Sequence, residues 1–75
     1  IVILFFDKQN RILREIEIHS PTSQSKHFYH SSGIKLYTEE YENQTCFKIL
    51  CYDLQNQLKA EIHNPRNSRL ILNSQ

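Results

Sequence analysis

The sequence predicts an all-β protein: a meander of three consecutive 23-residue β-hairpins and a final strand, with little or no helix. Three observations lead there. Short reversal motifs recur at one fixed interval, since Phe5, Phe28 and Cys51 each open a segment that runs into a turn 23 residues after the one before. Apolar residues alternate or cluster in short runs rich in β-branched and aromatic side chains, not at helical spacing. Pro21 and Pro65 fall between the units, where a residue without an amide proton does no harm to a ladder.

The repeat is strongest between its outer copies. Residues 1–16 and 47–62 share seven identities: Ile3/Ile49, Leu4/Leu50, Asp7/Asp53, Gln9/Gln55, Asn10/Asn56, Glu15/Glu61 and Ile16/Ile62. Unrelated segments would share about one. The middle copy keeps the physical requirements with fewer letters, offering Tyr29, Ser32 and Gly33. Asp at the start of a type I turn, with Asn or Gly three residues later, lets the chain reverse and pass through positive φ into a bulged hairpin. Asn10, Gly33 and Asn56 are the residue types that tolerate that conformation. His30 stands where the outer copies have Asp.

Strands are predicted at 1–6, 11–19, 26–30, 34–41, 45–52, 57–63 and 69–73, with 20–25 (Ser-Pro-Thr-Ser-Gln-Ser) as the most loop-like stretch. The units are 1–23, 24–46 and 47–69 with a partial copy at 70–75, all in one repeat domain. In the middle unit the apolar residues just after the turn, Ile34 and Leu36, are one position out of phase with the series Ile12, Ile16 and Ile18, with Tyr41 following. This predicts a middle turn of different effective length, or a middle hairpin twisted against its neighbours. Leu70-Ile71-Leu72-Asn73 repeats the phase of Ile1-Val2-Ile3-Leu4, so an apolar half-hairpin is expected to leave a sheet edge open to pairing.

Composition narrows function by exclusion. The chain has 75 residues, 39% hydrophobic and 23% charged, which suffices for one small domain with a thin core. A formal charge of +1 gives little steering toward phosphates or anionic lipid. The apolar opening Ile1–Phe6 is six residues long, whereas a membrane helix needs about 20, so no membrane span is expected. A first residue that is not Met points to a processed product, an excised domain or a longer protein seen in part.

The hairpin pattern resembles the MORN-type (membrane occupation and recognition nexus) repeats, and most closely their bacterial variant. Phe28-Tyr29-His30-Ser31-Ser32-Gly33 and Tyr52-Asp53-Leu54-Gln55-Asn56-Gln57-Leu58-Lys59-Ala60-Glu61 carry the likeness. The chain departs from that pattern in having a single glycine. Tyr52-Asp53 is a looser match to the Tyr-Asp repeats of large secreted shell proteins. Both resemblances imply a non-catalytic β-scaffold whose partners vary.

Candidate chemistry is sparse. Cys46 and Cys51 are five apart, which in a regular strand places them on opposite faces and forbids a mutual disulfide. His27 and His30 with these cysteines have a spacing that suggests zinc, but four ligands must converge on one point, and regular strands would scatter them. The expectation is no metal and no cofactor, with His19, His27 and His63 as polar residues at strand ends. Glu15, Glu17, Glu39 and Glu40 read as solvated carboxylates or cross-strand partners of Lys and Arg. No phosphate-binding glycine loop, Gly-x-Ser-x-Gly or His-Glu-x-x-His occurs, so no enzyme is expected. The predicted function is protein–protein interaction or structural scaffolding within a larger protein or assembly, through a protein partner or self-association at sheet edges. Tyr29, Tyr37 and Tyr41 are the predicted contact residues, because aromatics give large area at little entropic cost. The alternative is a small β-sheet RNA-binding module using Arg11, Arg14, Lys59, Arg66 and Arg69 with Tyr29, Tyr37 and Tyr52.

Overall fold

A computed structural model of the chain describes residues 1–65. Six antiparallel strands form one sheet in sequential order: β1 (Val2–Phe6), β2 (Ile12–Ser20), β3 (Ser23–Tyr29), β4 (Lys35–Glu42), β5 (Thr45–Tyr52) and β6 (Leu58–His63). This is the expected all-β hairpin meander, with no helical element among the described residues. The strand predicted at 69–73 and the partial unit at 70–75 lie outside them.

The three repeated turns follow one design. In the first, the Asp7 amide donates to the Arg11 carbonyl and the Asn10 amide to the Asp7 carbonyl. The Asp7 carboxylate accepts from the amides of Gln9 and Arg11 at 2.8 and 2.9 Å. Those amide bonds, led by that from Arg11, hold the Asp7 carboxyl below its ordinary pKa. Asp53 reproduces the arrangement with Gln55, Asn56 and Gln57. In the middle copy His30 substitutes for the carboxylate, and its Nδ1 accepts from the Ser32 amide at 3.1 Å. Asn10, Gly33 and Asn56 all have positive φ, at 62°, 93° and 64°.

No atom lies within 4 Å of where a Gly33 Cβ would sit, so only backbone strain restricts that position. Gly33→Asn should therefore unfold at nearly the wild-type denaturant midpoint, since Asn10 and Asn56 hold the same conformation. Gly33→Val should lose about 1–2 kcal/mol in the same measurement.

Each repeated turn is followed by a bulge of identical register. Phe6 pairs with Ile12 and Phe5 with Arg14; Tyr29 with Lys35 and Phe28 with Tyr37; Tyr52 with Leu58 and Cys51 with Ala60. Leu13, Leu36 and Lys59 are thus the extra residues. The middle turn is neither longer nor shorter than the others, which removes the first of the two alternatives drawn from its shifted apolar phase. The backbone repeats strictly and the side chains do not: Ile16 and Ile62 have Glu39 as their middle counterpart.

The second set of connections is tighter than expected. β3 begins at Ser23, so Ser23–Ser25 belong to the sheet and not to a loop. The polarity of Ser25 suits the face it occupies, between Glu17 and Glu40. Asn43 and Gln44 both take positive φ, 51° and 67°, the conformation of a two-residue type I′ hairpin between β4 and β5.

The sheet is a single layer. None of the described hydrophobic side chains is buried; the buried residues are Ser25 (4% exposed), His27 (9%) and Thr38 (1%). The edge strand β1 is exposed along its whole length.

Candidate functional site

Cross-strand pairing sorts the side chains into two unlike faces. One face is polar at its centre. Its middle row runs Leu4, Glu15, His27, Thr38, Leu50, Glu61, beside the row Val2, Glu17, Ser25, Glu40, Lys48, His63. His27 lies mid-strand and buried, which corrects its expected place at a strand end. Its Nε2 bonds the Glu17 carboxylate, and its Nδ1 meets the Thr38 hydroxyl at 2.8 Å. The Thr38 hydroxyl in turn approaches Tyr52 Oη at 3.5 Å. The His27 bond is the main cause of a lowered Glu17 pKa. Tyr29 donates to Glu15 at 2.9 Å, and His19 Nε2 contacts the Ser25 hydroxyl at 2.8 Å. Of the four carboxylates expected to be solvated or paired with Lys or Arg, Glu15 and Glu17 are engaged with a phenol and an imidazole, while Glu39 and Glu40 lie across the strands from Lys26 and Lys48.

Glu17, His27 and Thr38 have the connectivity of a carboxylate–imidazole–hydroxyl relay. A nucleophile must reach its substrate, however, and the Thr38 side chain is sealed beneath its neighbours. The chain of bonds works as a polar core that fixes β2, β3, β4 and β5 in register.

The opposite face is apolar and uncovered. One row reads Ile3, Ile16, Lys26, Glu39, Ile49, Ile62; the next reads Phe5, Arg14, Phe28, Tyr37, Cys51, Ala60. A third, toward the opposite end of the strands, carries Ile18, Gln24, Tyr41 and Cys46. Its polar groups are drawn onto rings. Arg14 lies 4.2 Å from the centre of Phe5, and Lys26 lies 4.5 Å from the centre of Tyr41. Tyr41 donates to Glu39 at 3.0 Å, and Phe28 stacks on Tyr37 at 4.6 Å.

The three predicted contact tyrosines divide between the faces: Tyr37 and Tyr41 on the apolar one, Tyr29 on the polar one. Burial and the bond to Glu15 push the Tyr29 phenol up to about 12, and burial with the bond to Glu39 does the same for Tyr41. Stability from these bonds is complete below the ordinary phenol pKa near 10 and is lost as pH rises through about 12. NMR titration of the ring carbons should show both late phenols, and Glu15→Gln should bring Tyr29 down while leaving Tyr41 unmoved.

Cys46 and Cys51 are free and, contrary to the odd spacing between them, share the apolar face. The register of β4 with β5 slips between Glu40 and Tyr41, making Phe47 an extra residue. Cys46 thus opposes Tyr41 while Cys51 opposes Tyr37. Those tyrosines are four residues apart, about 13 Å along the strand, beyond the roughly 7 Å Cα limit of a disulfide. Burial raises the Cys46 pKa, which makes it a sluggish thiol.

No three His, Cys, Asp or Glu side chains converge as metal ligands among the described residues. His30 is held at its turn by Ser32, away from His27. Nor do the basic residues weighed for RNA gather on one face: Arg11 pairs with Asp7 at 2.8 Å, Arg14 lies on the apolar face, and Tyr29 and Tyr52 lie on the polar one. Arg66 and Arg69 lie outside the described residues. No described helix is long and apolar enough to cross a membrane. Comparison with protein-family models, with curated proteins and with solved structures gives no match.

Proposed function

We propose that this chain is a non-catalytic β-hairpin repeat module, of MORN type, that serves protein–protein interaction or structural scaffolding in a larger assembly. One observation carries the reading: a single-layer sheet has turned Ile3, Ile16, Ile18, Ile49 and Ile62, with Phe5, Phe28, Tyr37 and Tyr41, to one face, and nothing in the described chain buries them. Apolar surface contributes about 25 cal/mol per Å² when it leaves water, so a face of this kind gains most from a partner that seals it. Tyr37, Tyr41 and Phe28 are the contact aromatics of that face. Tyr29 belongs to the polar network behind it.

Site-specific photo-crosslinking in the cells that make the protein tests this. A photoreactive phenylalanine at Tyr37 or Ile49 should give a discrete protein adduct, and one at Glu15 or Glu61 should not. Equal labelling from both faces, or none from either, contradicts the reading.

A further inference from the structure

The central row of the apolar face reads nearly the same from either edge: Ile3, Ile16, Lys26, then Glu39, Ile49, Ile62. A two-fold axis parallel to the strands, passing between β3 and β4 above this face, lays each position of one copy over its mirror position in the other. Ile3 then meets Ile62, Ile16 meets Ile49, and Lys26 of each copy meets Glu39 of the other. In the neighbouring row Phe28 lies over Tyr37 and large Phe5 over small Ala60, while Arg14, opposite Cys51, keeps its guanidinium on the Phe5 ring of its own chain. Toward the far end, Ile18 meets Cys46 and Gln24 meets Tyr41.

The same operation on the polar face sets Leu4 against Glu61 and Glu15 against Leu50, burying carboxylates on hydrocarbon at a prohibitive cost. Glu17 and Lys48 would meet there too, but the hydrocarbon rows match only on the apolar side. From these pairings we infer that the apolar face is covered by a second copy of this chain, in a two-layered β-sandwich homodimer with Lys26–Glu39 pairs crossing its centre. The inference rests on the reading of this face as a contact surface.

The footprint suffices. Six strands at about 4.8 Å spacing, each contributing about 20 Å of length, cover roughly 580 Å² per copy, or about 1,200 Å² for two copies before side-chain relief is added. That reaches the lower bound of a standard stable interface. Two sheets packed with their strands nearly aligned are also a common sandwich geometry.

Charge reversal tests the pairing, with sedimentation equilibrium on the whole chain as readout. Lys26→Glu places Glu against Glu39 of the second copy, and Glu39→Lys places Lys against Lys26. Each alone should weaken the homodimer by at least about tenfold. An equimolar mixture of the two variants should form a heterodimer of near wild-type affinity, because both crossing pairs are then again of opposite sign. Lys26 and Glu39 also face each other within one chain. Mixing leaves that internal clash in place, so recovery reports the contact between copies alone. The double variant K26E/E39K, with both the internal and crossing pairs opposite in sign, should dimerise as wild type does. A wild-type dimer whose mixed variants associate no better than each variant alone overturns this geometry and leaves the interaction reading to its crosslinks. A folded wild-type chain that stays monomeric at 200 µM overturns the homodimer outright.

Discussion

Replacing Thr38 by valine will lower the stability of the sheet by about 2 kcal/mol, or roughly 10 °C in thermal midpoint for a domain this small. Valine has the shape of threonine, so packing is retained and only the hydroxyl is lost. That hydroxyl is the partner of His27 Nδ1 in the most sealed part of the molecule. Without it a buried ring nitrogen is left unsatisfied, which costs more than the bond itself contributed. Thr38→Ser keeps the hydroxyl and should cost clearly less. Circular dichroism melts of the two variants separate the roles; a valine variant within about 0.5 kcal/mol of wild type would show that the His27 bond holds nothing together.

The second large effect falls on the other side of the sheet. Ile16→Lys puts an ammonium into the row that begins Ile3, Ile16, and two-fold packing lays it over Ile49 with no carboxylate opposite. Both copies carry the change, so two uncompensated charges enter one interface. Dimer affinity should fall about 100-fold or more, against little change for Glu15→Lys on the polar face. The folded state should survive, because Ile16 is only half-buried within its own chain. Sedimentation of the two variants beside wild type reads this directly, and equal losses from both faces would contradict the assignment of sides.

Much of the backbone was legible in the sequence, and for a definite reason. A reversal through positive φ admits few residue types, so Asn10, Gly33 and Asn56 announced their turns, and the Asp7 and Asp53 side chains marked the positions that bind the turn amides. What lay beyond reach was the bulge in β5, which no repeated turn accompanies. A single extra residue inverts the in–out alternation, and neither the extra Phe47 nor its effect on Cys46 is written in any local motif.

The polar network was hidden differently. Glu17, His27 and Thr38 come from three strands, and isolated polar residues in an alternating pattern read as solvent-facing. Only the register shows that these ones face one another across β2, β3 and β4. The spacing of His27 and Thr38, eleven residues across one repeated hairpin, is a signal that a register model built from the repeat would have used. The shifted apolar phase of the middle unit misled for a related reason: it records which face is charged at the sheet centre, where Lys26 and Glu39 sit, and not a change in the turn.

The central claim, that the apolar face is completed by a second copy, is tested most directly by thermal unfolding of the wild-type chain over a hundredfold range of concentration. Association coupled to folding predicts a midpoint that climbs steadily between 1 and 100 µM, because mass action adds up to about 2.7 kcal/mol over that range. A sharp transition at the same temperature throughout would show that one sheet stands alone with its isoleucines in water, and the account would fail.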